Sequence, residues 1–259
     1  MEMGGFMGGL YRLSEWIMRL AGANVLWFLC SLPVFFVTLV FLYGTTPENA
    51  ELIADMLANP QQYLISLAIP MFLYGLLAVV FLFPATTALF SVARKWVIGE
   101  EDVSVFKTFF RSYKANYKQS LIGGFIYTVV IILIIVNILF YSGSETLSFL
   151  SMVFIVLLAL VTVSLLNFFS ILSHLHMKTT GLVKNALLIT LGKPLNSLLM
   201  IATNCVIVYF SFRFTFLILF FMGSMMAMMS FWYFHRTFQK IQLQYEKNQE
   251  SEAAKAEAE

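Results

Sequence analysis

FPATTALFSVARKW, residues 83–96, starts in apolar sequence and ends in two cations beside a tryptophan. A chain that changes character so abruptly is leaving an apolar medium. Arg94 and Lys95 would hold the exit of a membrane span at the polar face, and Trp96 is a ring of the kind that sits at headgroup depth. Pro84 is expected to kink or end the regular helix, because it has no N–H and its ring crowds a carbonyl one turn back. Residues 85–92 would then lie near the interface or re-enter slightly.

Composition agrees with a membrane setting. Of 259 residues, 60% are hydrophobic and 12% are charged. A soluble domain carries roughly 25% charged residues, so this chain has too few to clothe a water-facing surface. The 27 phenylalanines add to the excess. The expected class is therefore an all-α, polytopic membrane protein. The net charge is only +2, and the cations are spread over several segments, which argues against a nucleic-acid partner. Cys30 and Cys205 sit in apolar runs and read as packing residues, without a disulfide or catalytic role. No cleavable signal pattern precedes the first apolar run, so that run is expected to be retained as an anchor.

A membrane helix needs about 20 largely apolar residues. Six windows meet that need, at about 24–43, 64–83, 121–141, 147–172, 195–212 and 214–234. Arg213 falls between the last two, at an expected tight turn. Together these windows make a single membrane domain over residues 1–245. The tail 246–259 (EKNQESEAAKAEAE) is polar and expected to be disordered. Loops facing the cytoplasm keep Lys and Arg. Fifteen of the 16 cations fall on one side of this map, leaving only Arg213 on the other. Both termini are accordingly expected inside the cell.

The most informative piece outside the spans is VFKTFFRSYKANYKQ, residues 105–119. Phe106, Phe109, Phe110, Tyr113 and Tyr117 recur at i, i+3, i+4, i+7 and i+11. Lys107, Arg111, Lys114 and Lys118 recur at i, i+4, i+7 and i+11. At about 100° per residue these form two stripes on one helix. Ser104 can cap it, and Glu100, Glu101 and Asp102 lie before its positive end. Such a helix suits the surface of an anionic leaflet, or a cytoplasmic partner. A second amphipathic helix precedes the first span, with Phe6, Leu10, Leu13, Ile17 and Leu20 on one face and Arg12, Glu15 and Arg19 on the other. Residues 181–191 give a third, less polar one. The layout is a cytoplasmic helix followed by two spans, used three times.

No Asp or Glu falls inside a window, which lowers the expectation of ion-coupled transport. Asn137, Asn167 and Asn204 are polar positions within spans, read first as interhelical hydrogen-bond partners and second as a polar path. His174 and His176 point apart on a helix, and His235 is the only other histidine, so no metal site is expected. The methionines of residues 222–234 read as flexible packing, and Trp232 with Tyr233 as an interfacial belt. The glycine pairs at residues 4–5 and 8–9 loosen the N-terminal helix. Hydrolase, nucleotide-binding and zinc motifs are absent, so neither catalytic residues nor a cofactor are assigned.

LYRLSEWIMRLAGANVLWFLCSLP (residues 10–33), FPATTALFSVARKW, VFKTFFRSYKANYKQS and LVKNALLITLGKPL (residues 182–195) together resemble the YesL-like family of small bacterial membrane proteins. The resemblance covers nearly the whole chain except the tail. It implies an integral protein of the cytoplasmic membrane. Because members often lie near genes for carbohydrate uptake and polysaccharide breakdown, it also implies a non-enzymatic accessory role beside a carbohydrate ABC importer. The family assigns no catalytic residues. Residues 45–63 form a longer external segment than the family leads one to expect, and a short helix outside the cell is expected there. The rival reading is a small transporter or channel for a neutral solute that uses the three asparagines.

Overall fold

A computed structural model describes residues 6–43, 47–59, 62–100, 102–142 and 147–256. Among these residues there are helices and no strands. The elements are α1 (Phe6–Cys30), α2 (Leu32–Tyr43), α3 (Pro47–Ala58), α4 (Leu64–Leu77), a π-helical turn (Ala78–Leu82), α5 (Phe83–Val97), α6 (Val105–Ser142), α7 (Phe149–His174), α8 (Thr179–Gly192), α9 (Pro194–Arg213), α10 (Phe216–Phe220) and α11 (Met222–Ala256). Gly4, Gly5, Glu101 and Glu145 lie outside the described residues.

Four helical stretches are long and apolar enough to cross a membrane: Ile69–Val97, Val105–Ser142, Phe149–His174 and Pro194–Arg213. A fifth exists if Gly8–Cys30 and Leu32–Phe41, which meet at 73°, are one broken span. These helices are compatible with a membrane protein.

Several sequence expectations change. The first apolar window is broken in its middle. Pro33 cannot donate to a carbonyl one turn back, and the chain turns at Ser31, whose carbonyl takes up the N–H groups of Val34 and Phe35. The helix read as a separate N-terminal element is continuous with α1. Likewise 105–119 is not a separate helix. It runs unbroken into the third window as the 38-residue α6.

The largest change concerns the opening stretch. Pro84 does not end its helix. The π turn precedes it, with the Phe83 N–H donating to the Ala78 carbonyl five residues back. That wider turn accommodates the proline ring. Residues 85–92 are then the centre of the bundle. Ala85, Ala88, Val92 and Ala93 are completely buried. Of the most apolar window in Ile69–Val97, 67% is buried inside the protein, against 22%, 17% and 28% in the other three spans. Helix α5 packs on α1, α6, α7 and α11. Small residues suit this position, because without a hydrophobic drive between helices close approach supplies the packing. Its hydroxyls link outward as well. Trp27 Nε1 donates to Thr86 Oγ1 at 3.0 Å, Thr87 pairs with Ser120 at 2.8 Å, and Ser112 donates to Ser91.

The expected sixth window, 214–234, is interrupted at Phe221 into the five-residue α10 and the start of α11. Helix α11 continues through Ala256, so most of the tail expected to be disordered is helical. Arg213 is the exposed last residue of α9, at the turn expected for it. Residues 47–58 do form a short helix.

Candidate functional site

Helix α6 begins at Ser104, whose Oγ accepts the Lys107 N–H at 3.4 Å and whose carbonyl accepts the Thr108 N–H at 3.0 Å. Lys107, Arg111, Lys114 and Lys118 are all exposed. The aromatic stripe is divided. Phe109 is fully buried, Tyr113 and Tyr117 are half-buried, and Phe106 and Phe110 are exposed. The rings still form a ladder: Phe106–Phe110 at 4.7 Å, Phe109–Tyr113 at 6.3 Å and Tyr113–Tyr117 at 5.7 Å between centroids. Phe109 therefore locks the helix to the core, while two rings and four cations stay outside.

The same end of the bundle holds a cluster that sequence spacing could not show. Arg94 Nε, in the last turn of α5, donates to His174 Nδ1 at the end of α7 at 3.0 Å. His174 lies edge-on to Phe231, Phe234, Phe238 and His235, with the two histidine centroids 6.0 Å apart. Gln239 Nε2 donates to His235 Nε2 at 3.0 Å. That bond puts the proton of the neutral ring on Nδ1, which is buried and has no partner among the described residues. Burial first, and then the Arg94 charge, hold the His235 pKa below the ordinary histidine value. His176 is exposed and lies beyond the helix, because α7 ends at His174 and Leu175 is extended, so the helical spacing expected for the two histidines does not apply. No group of three or more His, Cys, Asp or Glu that could hold a metal occurs among the described residues.

The three asparagines do not converge. Asn137 Nδ2 donates to the Leu133 carbonyl of its own helix at 2.8 Å. Asn167 Nδ2 donates to Thr190 Oγ1 at 2.9 Å, joining α7 to α8. Asn204 Nδ2 donates to Ser230 Oγ at 3.0 Å, joining α9 to α11. Cys30 is half-buried and Cys205 exposed, and both are free.

A fourth asparagine, overlooked in the sequence, has the largest structural role. Asn24 is fully buried. Its Nδ2 donates to the Ile218 and Leu219 carbonyls at 3.0 and 2.7 Å, and its Oδ1 accepts the Ser224 N–H at 3.0 Å. It thereby serves both sides of the break at Phe221, where helix ends leave backbone groups without partners. Gly223 lets it approach, since a Cβ there would lie 3.0 Å from Asn24 Oδ1 and 2.9 Å from the Trp27 ring. Gly123 and Gly124 were missed too. A Cβ at Gly123 would lie 2.1 Å from the Phe168 ring, and one at Gly124 2.7 Å from that of Phe83. A glycine pair inside an apolar run was the available signal.

Residues 20–138 match the family described as "Protein of unknown function, DUF624". The chain is similar to the uncharacterized protein YesL of Bacillus subtilis (strain 168), 28% identical over 221 residues, 85% of each chain. It is also similar to the uncharacterized protein YteU of the same organism, 28% identical over 203 residues, 78% of this chain and 72% of that one. No solved structure matches. Over residues 20–138 the chain matches this family, and across most of its length it is similar to YesL-like proteins.

Proposed function

We propose that this protein is a non-enzymatic accessory of the bacterial cytoplasmic membrane, which presents the first turns of α6 to a subunit of a carbohydrate ABC importer. In this reading the chain crosses the bilayer six times, the bent α1–α2 pair and the 214–234 stretch each counting once, with both termini in the cytoplasm. The cation distribution supports that orientation, because basic loops stay inside. One observation carries the docking role. Lys107, Arg111, Lys114 and Lys118 stand free on a helix fixed at its base by the buried Phe109 and by Gln119, whose Nε2 donates to the Met177 carbonyl at 2.7 Å. A face held rigidly loses little entropy on binding. The importer itself rests on the genomic company that the family keeps. The rival reading, a neutral-solute path, draws no support from the asparagines: Asn167 and Asn204 join separate helix pairs, and Asn137 bonds only its own helix.

The test is co-purification. A tagged chain, extracted in mild detergent from its native membranes, should enrich an importer permease or ATPase subunit. Charge reversal at Lys107, Lys114 and Lys118 to Glu should abolish that enrichment while leaving the melting temperature intact. Repeated pull-downs without any importer subunit would sink the proposal, as would enrichment insensitive to the reversals.

A further inference from the structure

Between α5, α6 and the end of α7 lies a cavity of about 400 Å³ that shares Arg111 with the docking face and is otherwise lined by residues outside it. It is lined by Arg94, Lys95, Arg111 and His176, with Thr108 and Asn116 among its neutral polar residues. Among the described residues no Asp or Glu lines it. Glu100 pairs with Lys95. No carboxylate pairs with Arg94 or Arg111 among the described residues. Arg94 is held in place through Nε by His174, which leaves its two terminal nitrogens to face a ligand. Guanidinium groups from two different helices line this one cavity, and a planar guanidinium fork suits the acceptor oxygens of a phosphate. Basic cavities between membrane helices, on the side where cations collect, are where anionic headgroups seat. A second cationic cavity, lined by Lys193, Arg236 and Lys240, lies between α9 and α11. There Arg236 and Lys240 are exposed, and Arg236 stacks on Trp232 instead.

We propose that the cavity of Arg94, Lys95 and Arg111 binds a phosphate-bearing anion, whether a lipid headgroup or a soluble phosphate. The cations supply charge-assisted hydrogen bonds. Thr108 and Asn116 supply neutral donors at the wall.

The experiment uses the purified full-length chain in neutral detergent, titrated by calorimetry in two arms: inorganic phosphate, and a short-chain phosphatidylglycerol below its micelle concentration. Saturable binding in at least one arm is expected, and the arm that binds identifies the source. Arg111→Gln should weaken binding tenfold or more. Lys107→Gln, which removes the same charge one turn away but outside the cavity, should change it less than twofold, and so should Arg236→Gln. All three variants alter exposed side chains and should melt like the parent. Absence of binding in both arms would overturn the proposal. Equal weakening by Lys107→Gln would reduce it to diffuse attraction and overturn it too. Loss with Arg236→Gln in place of Arg111→Gln would refute the assignment to this cavity.

Discussion

Arg94 and His174 are 80 residues apart in the chain, and Nε of the first donates to Nδ1 of the second at 3.0 Å. This bond closes α5 onto α7 at the end where the cations gather. It needs an unprotonated Nδ1, so the pair works as a neutral acceptor bound by a permanent cation.

Loss of Arg94 should therefore cost stability beyond its charge. A hydrogen bond to a charged group contributes about 1.5–3 kcal/mol. Arg94→Met, which keeps the apolar stem, should lower the melting temperature in detergent by several degrees. An unchanged melt would show that the bond has no structural weight.

Asn24→Leu should be more damaging than its place in an apolar window implies. It strands the Ser224 N–H and two carbonyls at the α10–α11 break. Each buried group left without a partner costs about 1–3 kcal/mol. Asn137→Leu breaks only a bond to its own helix and should shift stability within about 0.5 kcal/mol. Guanidinium or SDS unfolding of the two variants, side by side, tests the contrast.

Gly123→Ala places a methyl inside the Phe168 ring. Overpacking of this kind costs about 1–3 kcal/mol. Phe168→Leu should recover part of that loss in the double variant, although alone it destabilises. A double variant no better than the sum of the two singles would mean that the ring and the glycine do not meet.

His235 gives a pH signature. Its folded pKa is depressed, mainly by burial and then by Arg94. As pH falls below about 6.5, the unfolded chain takes up a proton that the folded chain refuses. Stability contributed by the neutral ring is thus present above that pH, and is lost as pH falls toward the depressed folded value. His235→Gln should flatten this part of the melting-temperature profile between pH 7 and 5, a range set by the ordinary histidine pKa of about 6.5. A profile as steep as the parent's would count against it.

Orientation has its own readout. Single cysteines at residues 50 and 118, in a chain freed of Cys30 and Cys205, should differ in intact cells. An impermeant maleimide should label position 50 and spare position 118 until the cells are opened. The reverse pattern would invert the map, and the docking face would then point away from any cytoplasmic partner.

Much of this architecture is local and could be read from residue order. Apolar length sets where helices lie, and periodicity set the exposed faces of Lys107, Arg111, Lys114 and Lys118. Ser104 before Val105 marked a helix start that the backbone realises. The opening stretch shows the limit. Residues 85–92, expected near the interface after Pro84, are instead the axis of the bundle, because alanine, threonine and serine allow four helices to approach, while the candidate span still ends just past Arg94 and Lys95. Pro84 looked like a stop, and only the π turn at residues 78–82 shows how a helix passes it.

What sequence alone determined is the material of the protein: long apolar helices, few charges, and a basic face on residues 105–118. These follow from solvation and from the helical repeat, which act within a few turns. Tertiary structure decided which residues meet. Asn24 serving the ends of α10 and α11, Phe168 resting on Gly123, and His174 beside both Arg94 and His235 are contacts made across tens to hundreds of residues. No local pattern encodes such pairings, because they depend on how whole helices settle against one another.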